Sequence, residues 1–187
     1  MRVISGKARG TKIYTLDEKI TRPTLDRVKE SLFNIIQSKV EDSVFLDLFA
    51  GSGAIGIEAA SRGAEKVILC DKSKEAIEII NKNLEKTHLK EKTEIYNTDY
   101  LKCLNTLEET KQKIDIIYID PPYALNLIEN SINKILEMDN ISEKTLIILE
   151  TDEEERILKF LENKNEFNLL DKRKYGRASI IFINKNY

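Results

Sequence analysis

From residue 43 onward, short apolar runs alternate with amphipathic stretches of helical length. The runs SVFLDLF (43–49), KVILCD (66–71), TEIYNTD (93–99), IDIIYIDPPY (114–123) and TLIILE (145–150) read as strands. The stretches 54–64, 73–89, 100–111, 126–138 and 153–164 read as helices, with Ser73 as one cap and Gly63 as one stop. Strands apolar on both faces and separated by helices form a mostly parallel sheet inside a doubly wound α/β layer. FNLLDKRKYGRASIIFIN (167–184) predicts a closing antiparallel hairpin that turns near Gly176. Upstream, RVISGKARGTKIY (2–14) predicts two short β segments around Gly6 and Gly10, a hairpin. TRPTLDRVKESLFNII (21–36) predicts a helix capped by Thr24, with Leu25, Val28, Leu32, Ile35 and Ile36 on one face.

In such sheets ligands sit beyond the carboxyl ends of the strands. Four of those ends carry an aspartate: Asp47, Asp71, Asp99 and Asp120. Asp99 serves as readily to cap the helix that follows it. The loop DLFAGSGAIG (47–56) spells G-x-G-x-x-G, and Asp71 lies 20 residues beyond Gly51, as in a dinucleotide site. Asp47, four residues before Gly51, argues otherwise, because an acid there repels a pyrophosphate at the helix N-terminus. It suits an adenosine cofactor with an ammonium and no phosphate, S-adenosylmethionine. Asp47 then faces the ammonium, directly or through water, while backbone N–H groups near the helix start meet the carboxylate. Gly51 and Gly53 let the backbone approach, and Ala50 and Ser52 complete the loop. Asp71 accepts from the ribose hydroxyls. Asp99 accepts from the adenine amine, and Lys72 and Thr98 cover the ring.

DPPY, residues 120–123, decides what the cofactor is for. The exocyclic amine of a nucleobase is flat and weakly nucleophilic, because its lone pair is spread into the ring. Two acceptors on its N–H bonds favour the pyramidal form that frees the pair. The Asp120 carboxylate and the Pro121 carbonyl are two such acceptors. Pro121 holds Asp120 out of the helical region, Pro122 does the same to Pro121, and both lack an N–H. Tyr123 offers a ring to stack on a base taken out of its helix. Four residues match by chance easily; their place at the end of the fourth strand, beyond the cofactor loop, makes the match specific.

The net charge of −2 divides unevenly. Residues 1–29 hold eight Lys and Arg (Arg2, Lys7, Arg9, Lys12, Lys19, Arg22, Arg27, Lys29) against Asp17, Glu18 and Asp26, a net +5 that leaves −7 for the remainder. A basic head fits a polyanion docking at one end, and equally a solvated arm. At 33% charged and 41% apolar residues the chain suits a soluble globular protein, and no run nears the roughly 18 apolar residues of a membrane span. The start, MRVISGKARG, lacks the apolar core of a secretory signal, so the cytoplasm is expected. Two cysteines, Cys70 and Cys103, and one histidine, His88, offer no metal set; Cys70 reads as a packed apolar side chain and His88 as a surface residue.

The loop DLFAGSGAIGIEAASRGA with DPPY resembles the class I amino-methyltransferases of nucleic acids. RVISGKARGTKI, TRPTLDRVKESLFNII and KYGRAS narrow the resemblance, over essentially the whole chain, to the RsmD family, bacterial methyltransferases of a guanine N2 amine in 16S ribosomal RNA. The resemblance implies a Rossmann-like domain over 1–187, with a basic N-terminal β-hairpin extension (1–21) and a catalytic core (22–187). Its sheet has seven mostly parallel strands, the last antiparallel. It also implies S-adenosylmethionine as cofactor, with the cofactor motif on Asp47, Phe49, Gly51, Ser52 and Gly53, the ribose acid on Asp71 and the catalytic tetrapeptide on Asp120 to Tyr123. As partner it implies ribosomal RNA, a small subunit or an assembly intermediate, with no membrane and no metal. Tyr123 stands where phenylalanine is often expected, and either ring stacks. Arg2, Lys7, Arg9 and Lys12 would then contact phosphates. Arg22 and Arg27 lie nearer the site, unless they pair with Asp26 or Glu30. Lys172, Arg173, Lys174 and Arg177 form a second basic group. Two rivals remain. A DNA adenine-N6 or cytosine-N4 methyltransferase usually needs a target-recognition region, for which 187 residues leave no room. A non-catalytic RNA-binding assembly factor has no use for an intact cofactor loop and Asp120.

Overall fold

The computed structural model describes residues 1–16, 22–122 and 126–186, and for residues 22–25 the backbone alone. Seven strands, β1 (Val44–Asp47), β2 (Lys66–Cys70), β3 (Thr93–Tyr96), β4 (Ile116–Ile119), β5 (Leu146–Thr151), β6 (Phe167–Tyr175) and β7 (Ala178–Lys185), form one sheet in the order β3-β2-β1-β4-β5-β7-β6. The first five pair in parallel, and β7 runs antiparallel to both β5 and β6. Among the described residues six α-helices cover it: α1 (Arg22–Val40), α2 (Ala54–Ser61), α3 (Lys74–Thr87), α4 (Tyr100–Glu109), α5 (Leu127–Glu137) and α6 (Glu154–Glu162). One face packs against α1, α2 and α3 through Leu32, Phe33, Phe45, Ile57 and Leu84. The other packs against α4, α5 and α6 through Leu104, Ile132 and Ile157. Crossover helices bury both faces of the central parallel strands, which is why their middles are apolar, while the edge strand β3 is half-buried and carries Thr93 and Glu94. Ser73 caps α3, accepting from the Ala76 N–H at 3.3 Å. Cys70 and Cys103 are buried and free, and His88 is exposed at the end of α3.

Two consequences place the site. α1 leads into the start of β1, so its first turns lie at the carboxyl edge of the sheet. β6 runs parallel to β5, so the β6–β7 turn, with Gly176 at φ 64°, reaches the same edge.

Two sequence expectations are corrected and a third is narrowed. α1 begins at Arg22, so Thr24 is a residue of its first turn rather than its cap. Ile35 is 39% exposed and falls off the buried face. The N-terminal hairpin pairs through one antiparallel bridge, Arg2 to Lys12, with Val3 N–H donating to the Thr11 carbonyl at 3.0 Å and Ile13 N–H to the Met1 carbonyl at 3.1 Å, while part of the turn between its arms bonds to α2. Ile4 and Ser5 N–H donate to the two oxygens of Glu58 on α2 at 2.8 and 3.0 Å. Lys7 N–H donates to the Ser61 carbonyl at 2.8 Å and Ala8 N–H to the Ser61 hydroxyl at 3.0 Å. Gly6, at φ 83°, makes this docking possible: a Cβ there would stand 1.8 Å from the Ser61 carbonyl oxygen. Lys29 of α1 completes the joint, 3.2 Å from Glu58 and donating to the Arg2 carbonyl at 2.6 Å.

Candidate active site

The chain leaves β1 at Asp47 and turns into α2 through a loop strung between neighbouring strand ends. Leu48 N–H donates to the Tyr118 carbonyl at 3.0 Å, and Ala50 N–H to the Cys70 carbonyl at 2.8 Å. Gly51 and Gly53 hold φ of 55° and 77°, the left-handed region in which side chains are strained. Gly51 N–H donates to one oxygen of Asp71 and Ser73 N–H to the other, each at 2.8 Å. Asp71 is thereby aimed, and each oxygen keeps acceptor capacity for a hydroxyl. The Asn97 amide braces Asp71 and Lys72 through their carbonyls, at 3.0 and 3.3 Å. The Cys70 thiol reaches the Thr98 carbonyl at 3.5 Å. Lys72 is exposed and Thr98 half-buried beside them. Asp99 takes its alternative role: one oxygen accepts the Leu101 and Lys102 N–H groups at 3.0 and 3.1 Å and caps α4. Phe49 meets Tyr100 with ring centroids 5.3 Å apart, an aromatic wall at the loop.

Asn83 of α3, in the middle of an ordinary amphipathic pattern, ties the N-terminal arm to this loop. Its amide oxygen accepts Tyr14 N–H at 2.7 Å. Its amide nitrogen donates to the Tyr14 and Ser52 carbonyls at 3.0 and 2.9 Å. Nothing in the local sequence signals a partner 69 residues away.

Asp47 turns inward. It is 2% exposed and accepts the Gly56 N–H, in the first turn of α2, at 3.1 Å. Burial raises its pKa to about 7; the Gly56 bond opposes that rise and the charge of Asp71 adds to it. Ahead of Gly56, the Ala54 and Ile55 N–H groups precede the first intrahelical bond, from Ile57 N–H to the Gly53 carbonyl at 2.8 Å. Those two donors, a glycine loop and the Asp71 oxygens fit S-adenosylmethionine: a carboxylate at the helix start and a ribose at Asp71, with acidic groups around its cationic end.

Asp120 follows β4 directly, and Pro121 and Pro122 continue the chain outside any helix or strand. Tyr123 and the side chain of Arg22 lie outside the described residues. Asp120 is open to solvent on one side. Its pKa is nonetheless raised well above the ordinary value, first by desolvation and then by the negative charges of Glu150 and Asp47. Solvent on the open side tempers that rise, and a base displacing the solvent would restore it. Glu150, near the end of β5, belongs to the same acidic row. The rule that singled out the other strand ends applies to TLIILE as well, and Glu150 is the residue it should have added.

The basic residues divide in space. Arg2 and Lys12 pair across the bridge, and Arg2 stands 3.8 Å from Asp26 of α1, the partner expected of Arg22 or Arg27. Arg27 is exposed. Lys7 and Arg9 are exposed on the turn docked against the far end of α2, a helix of eight residues and so about 12 Å long. Lys174 and Arg177 are exposed at the β6–β7 turn, where the Tyr175 and Ser31 hydroxyls meet at 2.5 Å and join that turn to α1. Lys172 and Arg173 are engaged with Glu154 and Asp171, at 3.2 and 2.9 Å. Two surface hollows, of about 270 and 380 Å³, lie at the opposite edge by Asp115 and by Gln37, away from the acidic row. No described helix is long and apolar enough to cross a membrane.

The conserved hypothetical protein 95 family matches residues 1–184. Ribosomal RNA small subunit methyltransferase D of Haemophilus influenzae is 35% identical over 159 residues, 84% of this chain and 82% of that protein. The solved structure of Escherichia coli yhhF is 27% identical with a TM-score of 0.79, covering 99% of this chain and 97% of that one. SMU.776, solved in complex with SAH, shares the fold at 21% identity and a TM-score of 0.69, over 84% of this chain and 48% of that one.

Proposed function

We propose that this chain, which belongs to the RsmD family of S-adenosylmethionine-dependent rRNA methyltransferases, methylates the exocyclic N2 amine of a guanine in small-subunit ribosomal RNA. The observation that carries the reading is Asp120 with Pro121 and Pro122, at a strand end next to the strand that feeds the glycine loop. The cofactor supplies an electrophilic methyl on a sulfonium. Ala54 and Ile55 N–H hold its carboxylate, Asp71 its ribose, and Lys72, Thr98 and Asp99 flank its adenine. Asp47 acts on its ammonium as a buried charge beneath the loop. Asp120 accepts one N–H of the target amine and the Pro121 carbonyl the other, which localises the lone pair on nitrogen. Tyr123 stacks on the extruded guanine. Asp120 then takes the proton the amine sheds, and its raised pKa favours that transfer. Arg2, Lys12, Arg22, Arg27, Lys174 and Arg177 hold phosphates around the carboxyl edge. Lys7 and Arg9, at the far end of α2, lie at the margin of that track and contribute least to it.

Supplying labelled S-adenosylmethionine with small subunits, assembly particles and naked 16S rRNA from unmethylated cells tests this. N2-methylguanosine in the nucleoside digest is expected. Label in another nucleoside, or in DNA and not in RNA, would overturn it.

A further inference from the structure

Glu150 has no part in the roles assigned so far. The β4–β5 register pairs Ile119 with Leu149, so Asp120 and Glu150 stand level one residue further on. Adjacent strands lie about 4.8 Å apart. Glu150 alternates with Leu149 onto the face of Ile148, where Tyr118 also packs. The Tyr118 hydroxyl donates to Glu150. That phenol is 2% exposed, and its bond leaves Glu150 as the acceptor, fixed beside Asp120.

The groups around this pair come from every neighbouring element. β1 contributes Asp47, and β4 contributes Tyr118 itself. From α1, Lys29 is committed to Glu58 and Ser31 to Tyr175 of β6. From β7, Ser179 is bonded to Glu154 of α6 at 2.5 Å. Among the described residues, then, the charges acting on Asp120 are those of Glu150 and Asp47, both negative.

We propose that Glu150, held level with Asp120 by the strand register and by the Tyr118 hydroxyl, is a positioning residue for methyl transfer that acts through Asp120 on removal of the amine proton. The idea rests on Asp120 being the acceptor for the target amine. In the transfer one C–N bond forms as one C–S bond breaks. The N–H bond then breaks, its electron pair stays on nitrogen, and the proton passes to the Asp120 carboxylate. Glu150 touches no reacting atom. Both carboxyls have raised pKa values, Asp120 through lost hydration and then Glu150 and Asp47, Glu150 through burial.

Glu150→Gln keeps the shape and an acceptor for Tyr118 while removing the charge. Two readouts test it. One is the pH profile of kcat on rRNA. The other is the carboxyl carbon titration of Asp120 by NMR in the protein without cofactor or RNA. In Glu150→Gln both the acid limb and the Asp120 midpoint should move down by about one pH unit. The plateau rate should fall several-fold. Tyr118→Phe, which frees Glu150 to take a proton of its own, should shift both the same way by less, and serves if Glu150→Gln fails to fold. An Asp120 midpoint unmoved in both variants overturns the proposal. If the wild type makes no N2-methylguanosine, the function proposed above fails instead, and the titration still reports whether Glu150 acts on Asp120.

Discussion

Glu58, beneath the N-terminal arm, receives four donors: Ile4 N–H, Ser5 N–H, Lys29 and Arg62. Asp120 and Glu150, at the strand ends, face each other and Asp47, with one tyrosine hydroxyl for relief. Both regions gather carboxylates against the protein, with Glu58 fully buried, Glu150 half-buried and Asp120 open to solvent on one side. In the first the charge is matched and the arm is fastened to α1 and α2. In the second like charges are gathered and held apart from any described cation. Unmatched charge of that kind works against folding and persists where a bound cation or a transferred proton resolves it.

The largest effect belongs to the matched region. Glu58→Ala leaves Lys29, 2% exposed, without its partner and two backbone N–H groups without acceptors. Breaking a buried pair from one side costs about 3–5 kcal/mol. Urea unfolding should show that loss. A change under 1 kcal/mol would mean that the arm is not fastened by charge, and the contrast between the regions would lapse. Asp120→Ala should behave in the opposite manner. Stability should hold or rise as the like charges thin, S-adenosylmethionine binding should persist, and methyl transfer should fall by about a hundredfold or more. Equal losses of stability and turnover would make Asp120 a structural residue.

The two regions were unequally legible in the sequence. Strand and helix alternation, the glycine loop and the strand-end acids are local signals, each carried by a few neighbouring residues, and the structure keeps them together. The fastening of the arm is carried by Glu58, Ser61 and Asn83, whose partners lie 53, 54 or 69 residues away. In sequence Glu58 is a polar residue on a short helix, and Asn83 one polar position among many on α3. Long-range partners of backbone N–H groups leave no period or spacing. For the same reason residues 2–14 show their hairpin, whose ends pair locally, but not that Ile4, Ser5, Lys7 and Ala8 donate to α2.

A smaller effect asks whether the cations divide as the carboxylates do. Lys174 and Arg177 stand at the carboxyl edge, Lys7 and Arg9 at the far end of α2. Removing two phosphate contacts lowers the slope of log affinity against log salt by about 1.4–1.8. The double variant Lys174→Ala with Arg177→Ala should show that change in RNA binding. Lys7→Ala with Arg9→Ala should show less than half of it. Equal slopes would extend the RNA path over the whole arm and make the arm a binding surface as well as a fastening.

The smallest effect tests whether the gathered acids exist to meet a cation. Asp47 has a pKa of about 7 because burial disfavours its charge. In the unliganded fold, ionising it is therefore unfavourable relative to the unfolded chain, and the stability linked to it falls as pH rises from about 4 towards 7. A cation bound above the loop reverses that preference, so the ligand binds the ionised form more tightly and releases a proton as it binds. Affinity for S-adenosylmethionine should rise several-fold between pH 6 and 7, below most of the titration of an α-amino group, whose ordinary midpoint is about 7.7–8.0. Calorimetry in buffers of different ionisation enthalpy should register the released proton. Asp47→Asn keeps an acceptor for the Gly56 N–H and should abolish both signals while leaving α2 capped. Were the pH dependence to survive in Asp47→Asn, the charge beneath the loop would serve the helix alone, and the acidic row would shrink to Asp120 and Glu150.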